Sequence, residues 1–208
     1  KILITGSSGF IGFHLTKLLL EKGNKIHGYD SMNSYYDVNL KKARLKILKK
    51  YKNFSFTKNK LENKRSLEKS FFKFKPNVVI HLAAQAGVRY SIDKPRVYLR
   101  SNVTGTFNII EASHKLKVKH LIMASSSSVY GANKRIPFLE TDKTETQLSI
   151  YATTKKANES MAHSYSNLWK IPITMLRFFT VYGPWGRPDM ALFKFTKGIL
   201  KNRKIDIY

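Results

Sequence analysis

Two side chains that could move a proton stand four residues apart, at Tyr151 and Lys155. On a helix, this spacing puts both side chains on one face. A free tyrosine has a pKa near 10 and is a poor base at neutral pH. A nearby ammonium group and a positively charged cofactor ring would favour the phenolate and bring the pKa toward the working range. The pair also arises by chance on surface helices, so its meaning depends on the residues around it.

Four consecutive serines, residues 125–128, follow an apolar segment of the strand type. Serine is common in polar turns, where backbone groups need local partners. At the carboxyl end of a central strand, however, a hydroxyl could share a substrate proton with Tyr151. Together with Lys155, the serines favour a site in which Tyr151 deprotonates a hydroxyl while the carbon beneath it gives up a hydride.

A glycine-rich stretch near the start of the chain is suited to holding the acceptor of such a hydride. Residues 5–12, TGSSGFIG, follow an apolar strand at 2–4. Gly6 would adopt a backbone angle closed to other residues, Gly9 would allow a ligand to approach the main chain, and Gly12 would let helix and strand pack tightly. A pyrophosphate would then lie against the free amides of the helix N-terminus. An ordinary strand-to-helix turn is the alternative interpretation.

The second apolar segment, residues 25–29, ends at Asp30. An acidic side chain at this place can hydrogen-bond the ribose of an adenosine, and its charge would repel a 2′-phosphate. The glycine stretch and Asp30 together predict NAD rather than NADP as the cofactor.

The elements that position these groups alternate along the chain. Apolar or alternating runs predict strands at 2–4, 25–29, 54–57, 78–82, 118–124 and 173–179. Helical spacing, such as that of Ile11, Leu15, Leu18 and Leu19, predicts helices after residue 10, up to Lys50, and over 67–74, 102–116 and 151–169. This alternation predicts an α/β fold with a Rossmann-type doubly wound parallel sheet. Its ligands would bind at the carboxyl ends of the strands, in the loops at 83–89, 125–131 and 180–190 and at the helix start 151–155.

Composition excludes several classes of protein. The 208 residues suffice for one domain with a substantial core and the start of a second. The chain has no cysteine, which excludes disulfides, thiolate catalysis and cysteine-bound metals, and its six histidines lack metal-binding spacing. No apolar stretch reaches the length of a membrane span, and the first strand leaves no room for a signal peptide. We therefore expect a cytoplasmic protein with no metal site and no membrane association.

The formal net charge of +25 is unusually high. The densest basic run, residues 41–50, could mark nucleic-acid binding. Leu45 and Leu48 keep helical spacing within it, however, so a solvated helix face accounts for the basic residues. We expect no specific nucleic-acid partner, only salt-sensitive sticking to polyanions, and a field that attracts a negatively charged small substrate.

These motifs together resemble the extended short-chain dehydrogenase/reductase superfamily, in its NAD-dependent epimerase/dehydratase branch, and within that branch the UDP-glucuronate 4-epimerases. The similarity covers essentially all 208 residues. The glycine stretch and the segment 151–155 mark only the superfamily. Narrower matches are NSYYDV at 33–38, HLAAQAGVRYS at 81–91, ASSSSVYG at 124–131 and RFFTVYGPWGRPDM at 177–190.

The resemblance implies a role for each matching residue. Tyr151 would be the acid/base, Lys155 its activator and a ribose ligand, and Ser126 the hydroxyl beside O4 of the sugar. Arg187 would receive the sugar carboxylate, with Ser127, Ser128 and Thr180 close by. The residues expected to hold NAD are Gly6, Gly9, Phe10, Ile11, Gly12, Asp30, Leu82, Ala83, Ala84, Asn102, Ser125, Lys155 and Phe178. Arg187 would also suit a capping role in a Gly/Pro-rich loop, but a bidentate guanidinium fits a buried uronate.

The implied reaction is interconversion of UDP-glucuronate and UDP-galacturonate through a transient 4-keto sugar, with tightly bound NAD that is not consumed. Similar proteins are commonly homodimers joined through the predicted helices at 102–116 and 151–169, and they supply surface polysaccharides. Two alternatives remain, a related UDP-sugar decarboxylase or 4,6-dehydratase and a catalytically silent NAD-binding fragment. Elimination is disfavoured because Ser127 and Ser128 stand where those relatives carry acidic residues.

The sequence departs from the family pattern in two places. Lys60 occupies the position where the family usually carries an aspartate that contacts the adenine amine, and Glu62 is a candidate substitute. The chain also stops before the family's carboxyl-terminal lobe is complete. We therefore expect an NAD-binding domain at 1–180 and only the beginning of a smaller substrate-binding lobe at 181–208.

Overall fold

The computed structural model describes residues 1–205. Its strands are β1 (Ile2–Thr5), β2 (Ile26–Asp30), β3 (Phe54–Lys58), β4 (Val78–His81), β5 (His120–Ala124) and β6 (Ile173–Leu176). They form one parallel sheet in the order β3-β2-β1-β4-β5-β6. The predicted doubly wound Rossmann-type sheet is therefore confirmed.

The helices between the strands are α1 (Phe10–Glu21), α2 (Val38–Leu48), α3 (Lys64–Phe74), α4 (Val88–Asp93), α5 (Pro95–Tyr98), α6 (Gly105–Lys115) and α7 (Ile150–Trp169), and α8 (Ala191–Leu200) follows β6. A π-helical turn, Leu99–Thr104, leads into α6, so the α-helix expected to begin at residue 102 begins at Gly105 instead. A 3-10 turn follows β5 at Ser127–Tyr130. The sequence did not predict α4, α5 or α8, since the first two are too short to show an amphipathic repeat.

The sheet has a separate hydrophobic core on each face, because alternate residues of a strand point to opposite sides. Leu3 of β1 packs with residues of α3 and α6, including Leu67 and Ile109. Its neighbour Ile4 packs on the other face with Phe13 of α1 and Leu48 of α2. This three-layer arrangement fixes the carboxyl ends of the strands.

Strand order reverses between β1 and β4, which pair directly from Ile2 with Val78 to Thr5 with His81. The chain leaves β1 toward α1 on one face and leaves β4 toward α6 on the other. Ligands of doubly wound sheets bind in the crevice that this divergence opens. The glycine loop after β1 and the loop after β4 border that crevice.

Two sequence-based expectations about helix faces are wrong. Leu18, expected on the apolar face of α1, is 51% exposed, while Phe13 and Leu20 are buried instead. In α2, Lys41 and Arg44 are buried rather than solvated, with Arg44 fully inaccessible. In α2 the buried residues include Leu48 as well as these two basic residues, because polar partners near the crevice receive the side chains of Lys41 and Arg44.

The carboxyl-terminal part of the described chain differs from the rest. Helix α8 buries none of its residues. The predicted lobe at 181–208 reaches past the described residues, so 206–208 lie outside this account. Within residues 1–205, none of the helices combines the length and apolarity that crossing a membrane requires. That same range holds no cluster of histidine and carboxylate side chains suited to a metal ion.

Candidate active site

The glycine loop after β1 has a geometry that only glycine satisfies at its first position. Gly6 has φ +72°, and its amide donates to the carbonyl of Tyr29 at 2.8 Å. A Cβ on Gly6 would lie 2.9 Å from the amide nitrogen of Ala83, in the loop after β4. The two loops that border the crevice therefore touch through backbone, and the unusual backbone angle predicted for Gly6 is confirmed.

Gly12 brings α1 against the same loop, since a Cβ there would lie 2.0 Å from the carbonyl oxygen of Gly6. Gly9 is the N-cap of α1 and gives no side-chain cap to the first amides of the helix. The buried hydroxyls of Ser7 and Ser8 have no hydrogen-bond partner among the described residues. Uncapped amides at a helix N-terminus suit a pyrophosphate, so this loop fits a dinucleotide.

Asp30 lies at the end of β2, next to the glycine loop. Its Oδ2 accepts from the amide of Ser8 at 3.0 Å, and its Oδ1 accepts from the amide of Met32 at 2.8 Å. Burial raises the pKa of Asp30, while these hydrogen bonds and the charges of Lys41 and Arg44 oppose the rise. The carboxylate therefore fixes the two loops on either side, and its expected contact with a ribose stays a prediction.

The loop after β4 brings residues 82–84 to the crevice, where all three are partly exposed. Asn102 of the π-helical turn holds this loop from behind. Its Oδ1 accepts from the amide of Gln85 at 2.7 Å, and its Nδ2 donates to the carbonyl of Gln85 at 3.0 Å and to Thr154 Oγ1 at 3.1 Å. Because Asn102 is fully buried and these contacts occupy its side chain, it positions the loop rather than presenting an amide to a ligand.

Tyr151 lies in the first turn of α7, beside Ser126 at the end of β5. Burial raises the pKa of Tyr151, and the opposing effects come from a hydrogen bond with Ser126 and from the charge of Arg187. The expected lowering of this pKa by Lys155 together with a bound nicotinamide ring stays a prediction. Ser126 and the charge of Arg187 are thus the groups that favour the phenolate of Tyr151.

The amine of Lys155 donates to the carbonyl of Ala124, at the end of β5, over 2.7 Å. Burial lowers its pKa to about 8. Lys155 is thus on the same helix face as Tyr151, as predicted, but its contact is with the strand end that precedes the serines.

Ser125 and Ser126 have different hydrogen-bond partners. The hydroxyl of Ser125 donates to Glu159 of α7, whose carboxylate also binds Arg177 through Nε and Nη2 at 3.0 Å each. Ser125 therefore joins a polar cluster with Glu159 and Arg177, and its expected contact with NAD stays a prediction. Ser126 caps the 3-10 turn, with its Oγ 3.2 Å from both the amide and the hydroxyl of Ser128.

The remaining expected substrate residues lie at the ends of β5 and β6. The amide of Ser127 donates to the carbonyl of Phe178 at 2.8 Å, which joins the two loops. Ser127, Ser128 and Phe178 are partly exposed, and Thr180 is exposed. Three residues expected at the substrate, and Phe178 expected at NAD, thus lie after the carboxyl ends of β5 and β6.

Arg187 is paired within the chain. Its Nε donates to Asp189 Oδ1 at 3.0 Å and its Nη2 to Asp189 Oδ2, while the hydroxyl of Tyr35 lies 3.2 Å from the same Oδ2. The pair is partly buried, with 22% of the Arg187 side chain and 26% of the Asp189 side chain exposed. The charge of Arg187 acts on the pKa of Tyr151, but the guanidinium already has a carboxylate partner.

Sequence reasoning missed Lys41 and Arg44. The amine of Lys41 donates to the backbone and side-chain oxygens of Asn33 at 2.8 and 2.7 Å. Arg44 donates to the carbonyl of Ser8 at 3.1 Å and to the hydroxyl of Tyr36 at 2.8 Å. The signal available in the sequence was the spacing of three, which puts both residues on one helix face beneath the tyrosine-rich loop.

At the adenine end, the side chain of Lys60 is exposed and its carbonyl accepts from the hydroxyl of Tyr29 at 3.1 Å. Glu62 is partly exposed nearby. Substitution of Glu62 for the usual aspartate stays a prediction.

Beneath the crevice, His81 at the end of β4 connects both of its ring nitrogens to threonines. Nδ1 lies 2.7 Å from Thr5 Oγ1, and Nε2 lies 2.9 Å from Thr106 Oγ1. Burial lowers the pKa of His81 to about 3, and the charge of Lys155 adds to this effect. The imidazole is therefore neutral at physiological pH and joins β1, β4 and α6 through hydrogen bonds.

The sheet order, the glycine loop and Asp30 define a Rossmann-type dinucleotide-binding protein. The sequence profile of the NAD dependent epimerase/dehydratase family matches residues 2–208, and the chain belongs to this family. The predicted family is therefore confirmed, and the predicted cofactor is the one that the family uses.

Several known proteins are similar along the whole chain. Protein CapI of Staphylococcus aureus is 58% identical over 208 residues, which are 100% of this chain and 62% of that protein. A probable UDP-glucuronate 4-epimerase of Rhizobium meliloti is 50% identical, with 100% and 61% covered. The crystal structure of the UDP-glucuronic acid 4-epimerase from Bacillus cereus with UDP-glucuronic acid and NAD has a TM-score of 0.92 at 35% identity, with 100% and 65% covered. The chain thus spans less than two thirds of the length of these relatives.

Proposed function

We propose that this chain is the NAD-binding and catalytic part of a UDP-glucuronate 4-epimerase. The observation that carries the proposal is that Ser126, at the carboxyl end of β5, and the charge of Arg187 both act on Tyr151. Tyr151 and Ser126 are a hydroxyl pair that can move a proton, and Arg187 is a cation that can hold a carboxylate. The similar proteins from Rhizobium meliloti and Bacillus cereus support the same assignment.

NAD would lie across the crevice between β1 and β4. The glycine loop and the N-terminus of α1 would receive its pyrophosphate, Asp30 its adenosine ribose, and residues 82–84 and Lys155 the nicotinamide half. The tight packing of Gly6 and Gly12 and the absence of a side-chain cap at Gly9 support this fit. When bound, NAD supplies a reversible hydride acceptor.

In the proposed reaction, Tyr151 takes the proton of the C4 hydroxyl as C4 is oxidised to a ketone. Ser126 shares that proton, and Arg187 assists because its charge favours the phenolate. The 4-keto sugar turns over in the site, and Tyr151 returns the proton to O4 after reduction from the other face. The product is UDP-galacturonate, and no net oxidation occurs.

The 4-keto intermediate is a β-keto acid, which can lose carbon dioxide. We propose that Arg187, Ser127, Ser128 and Thr180 hold the carboxylate out of the geometry for decarboxylation. A 4,6-dehydratase would need an acid at the serine positions to work at C5 or C6, and neither Ser127 nor Ser128 is acidic.

Several further expectations belong to this proposal. Residues 1–180 would form the NAD-binding domain, and α8 would begin the substrate-binding lobe, which its lack of buried residues supports. A cytoplasmic location and a supply of uronate for surface polysaccharide follow from the proposed substrate. A homodimer would pack through α6 and α7, where Phe107, Leu168 and Trp169 are 41%, 63% and 48% exposed. Light scattering of the protein and of Leu168→Asp tests the dimer.

Proton NMR tests the proposed reaction directly. Purified protein is incubated with UDP-glucuronate without added NAD, and the sugar H1 and H4 signals are followed. We expect UDP-galacturonate to appear. Tyr151→Phe should slow its formation by at least about 100-fold, the usual contribution of a general acid–base group, while NAD content stays unchanged. Tyr165→Phe, on the same helix, is the matched control; an active Tyr151→Phe variant would refute the assigned base.

A further inference from the structure

Arg44 connects two loops that the chain keeps far apart in sequence. Its Nη1 donates to the carbonyl of Ser8 in the glycine loop at 3.1 Å. Its Nη2 donates to the carbonyls of Trp185 and, at 3.3 Å, Gly186. The side chain has no exposed surface, so these hydrogen bonds form away from solvent, where they are strong.

The segment that Arg44 holds is constrained and leads directly to Arg187. Trp185 has φ +59°, which is unusual for a bulky residue and persists only where surrounding contacts enforce it. Its ring packs against Phe13 at a centroid distance of 5.6 Å, and His14 Nε2 lies 2.8 Å from the carbonyl of Pro184. Arg44 is the contact that joins this segment to the glycine loop rather than to the surface of α1.

We infer that Arg44 is a positioning residue that sets the place of Arg187 by fixing the Trp185–Gly186 backbone to the glycine loop. Two residues separate Gly186 from Asp189, so the Arg187–Asp189 pair must follow the backbone that Arg44 fixes. An arginine is needed because its planar fork donates in two directions at once, toward Ser8 and toward the Trp185 segment. A lysine offers a point charge and cannot span both loops. The consequence for substrate choice rests on the proposed function: Arg44 would act on sugars that carry a carboxylate.

The first experiment does not depend on the substrate. The chain has two tryptophans, so Trp169→Phe leaves Trp185 as the single emitter. In this background, Arg44→Met and Arg44→Lys are expected to shift Trp185 emission to the red and to raise its acrylamide quenching constant about twofold, as for a locally released segment. Lys46→Met removes a charge from the exposed face of the same helix and should leave both signals unchanged. Unchanged Trp185 signals in both Arg44 variants, with the fold retained by circular dichroism, would overturn the inference.

The second experiment asks whether Arg44 acts through Arg187. Calorimetry of the NAD-loaded protein compares binding of UDP-glucuronate with that of UDP-glucose. Arg44→Lys is expected to weaken UDP-glucuronate about tenfold and UDP-glucose less than about twofold, since only the former needs Arg187. In an Arg187→Met background, Arg44→Lys should add nothing, which is the signature of a shared pathway.

The outcomes separate the two proposals. Additive losses in the double variant, or equal weakening of both sugars, would overturn the positioning role while leaving the epimerase proposal intact. If the unaltered protein binds no UDP-glucuronate, the proposed function fails, and the Trp185 measurement still decides whether Arg44 fixes the segment.

Discussion

Arg187 and Asp189 form a two-point ion pair, with Nε of the arginine 3.0 Å from Oδ1 of the aspartate and Nη2 bonded to Oδ2. Arg187 lowers the pKa of Asp189, although burial opposes this effect. A substrate carboxylate that approaches Arg187 must therefore share the guanidinium with a carboxylate already in place.

Removal of the Asp189 charge is expected to favour a carboxylated substrate. Asp189→Asn keeps a hydrogen-bond acceptor but leaves Arg187 with an unshared positive charge. We expect about two- to fivefold tighter binding of UDP-glucuronate, the scale of a partly exposed ion pair, and no change for UDP-glucose. Calorimetry checks this. Asp142→Asn, which removes the partner of Arg135 far along the chain, is the control; weaker UDP-glucuronate binding in Asp189→Asn would show that Asp189 orients Arg187 rather than competing for it.

Gly6→Ala is expected to lower the free energy of unfolding by more than a strained backbone angle alone would. Gly6 and Gly23 both have positive φ, at 72° and 81°, but a Cβ on Gly23 would meet nothing within 4 Å. Each alanine variant bears the cost of left-handed backbone, about 1–2 kcal/mol, and only Gly6→Ala also pushes the glycine loop from Ala83. We expect urea unfolding to show the larger loss for Gly6→Ala and NAD titration to show weakened binding there alone. Equal losses in both variants would mean that backbone angle is the whole effect.

Lys155→Met is expected to stabilise the fold at neutral pH. Burial lowers the pKa of Lys155 to about 8 from 10.5, a penalty on the charged amine of about 3 kcal/mol at 1.36 kcal/mol per pKa unit. Because the variant also loses the hydrogen bond to Ala124, about 1 kcal/mol of the expected gain in stability is cancelled. Urea unfolding at pH 7 should therefore give Lys155→Met a free energy of unfolding about 2 kcal/mol higher, with catalysis lost.

The pH dependence of that difference provides an internal check. Between pH 8 and 10.5 the unfolded chain holds a proton on Lys155 that the folded chain has released, so native stability rises with pH. The advantage of Lys155→Met should shrink across this window, and the replacement leaves the other lysines in place. A constant or growing difference would contradict the assigned burial penalty.

His81 should make the protein acid-sensitive. Its pKa is lowered from 6.5 to about 3, so as pH falls below 6.5 the unfolded chain gains a proton that the folded chain excludes, and stability is lost. Between pH 7 and 5 this group accounts for about 2 kcal/mol of the loss. His81→Gln should remove that part of the slope in urea titrations, although it lowers stability at pH 7. His27, whose burial lowers its pKa to about 4, keeps its own contribution.

Thr106→Val is the matched control for His81. It removes the partner of Nε2 but keeps the imidazole, so stability falls at every pH while the acid-dependent loss remains. A His81→Gln variant with the unchanged slope would assign the acid sensitivity to other groups.

The sheet and the glycine loop could be predicted from the sequence because their signals are local. Apolar runs such as 78–82 and the glycine spacing at 6, 9 and 12 report directly on buried strands and on close backbone approach. The predicted position of Tyr151 on a helix face is equally local. The hydrogen-bond partners of side chains were harder to predict, because they depend on which distant element packs nearby.

Three residues illustrate this limit. From the sequence alone, Arg44 is predicted to be a solvated basic residue, because the sequence does not show that the 183–187 loop lies over α2. From the sequence alone, the hydroxyl of Ser125 has no assigned partner within the chain, and the structure pairs it with Glu159 of α7. Arg187 is likewise predicted to be a free cation, and the structure pairs it with Asp189. In each case the deciding contact is a polar pairing that apolar periodicity does not report.

Asp30 bears on any attempt to re-engineer the protein for a phosphorylated cofactor. Its two carboxylate oxygens accept from the amides of Ser8 and Met32, so the residue that would select the cofactor is also a scaffold for the loop that would bind it. Exchange of Asp30 for a small neutral side chain would remove both anchors, and Met32 has a positive φ of 53° that its anchor helps to maintain. Altered cofactor preference in this protein therefore requires a redesigned loop from Asp30 to Met32 together with the acidic residue.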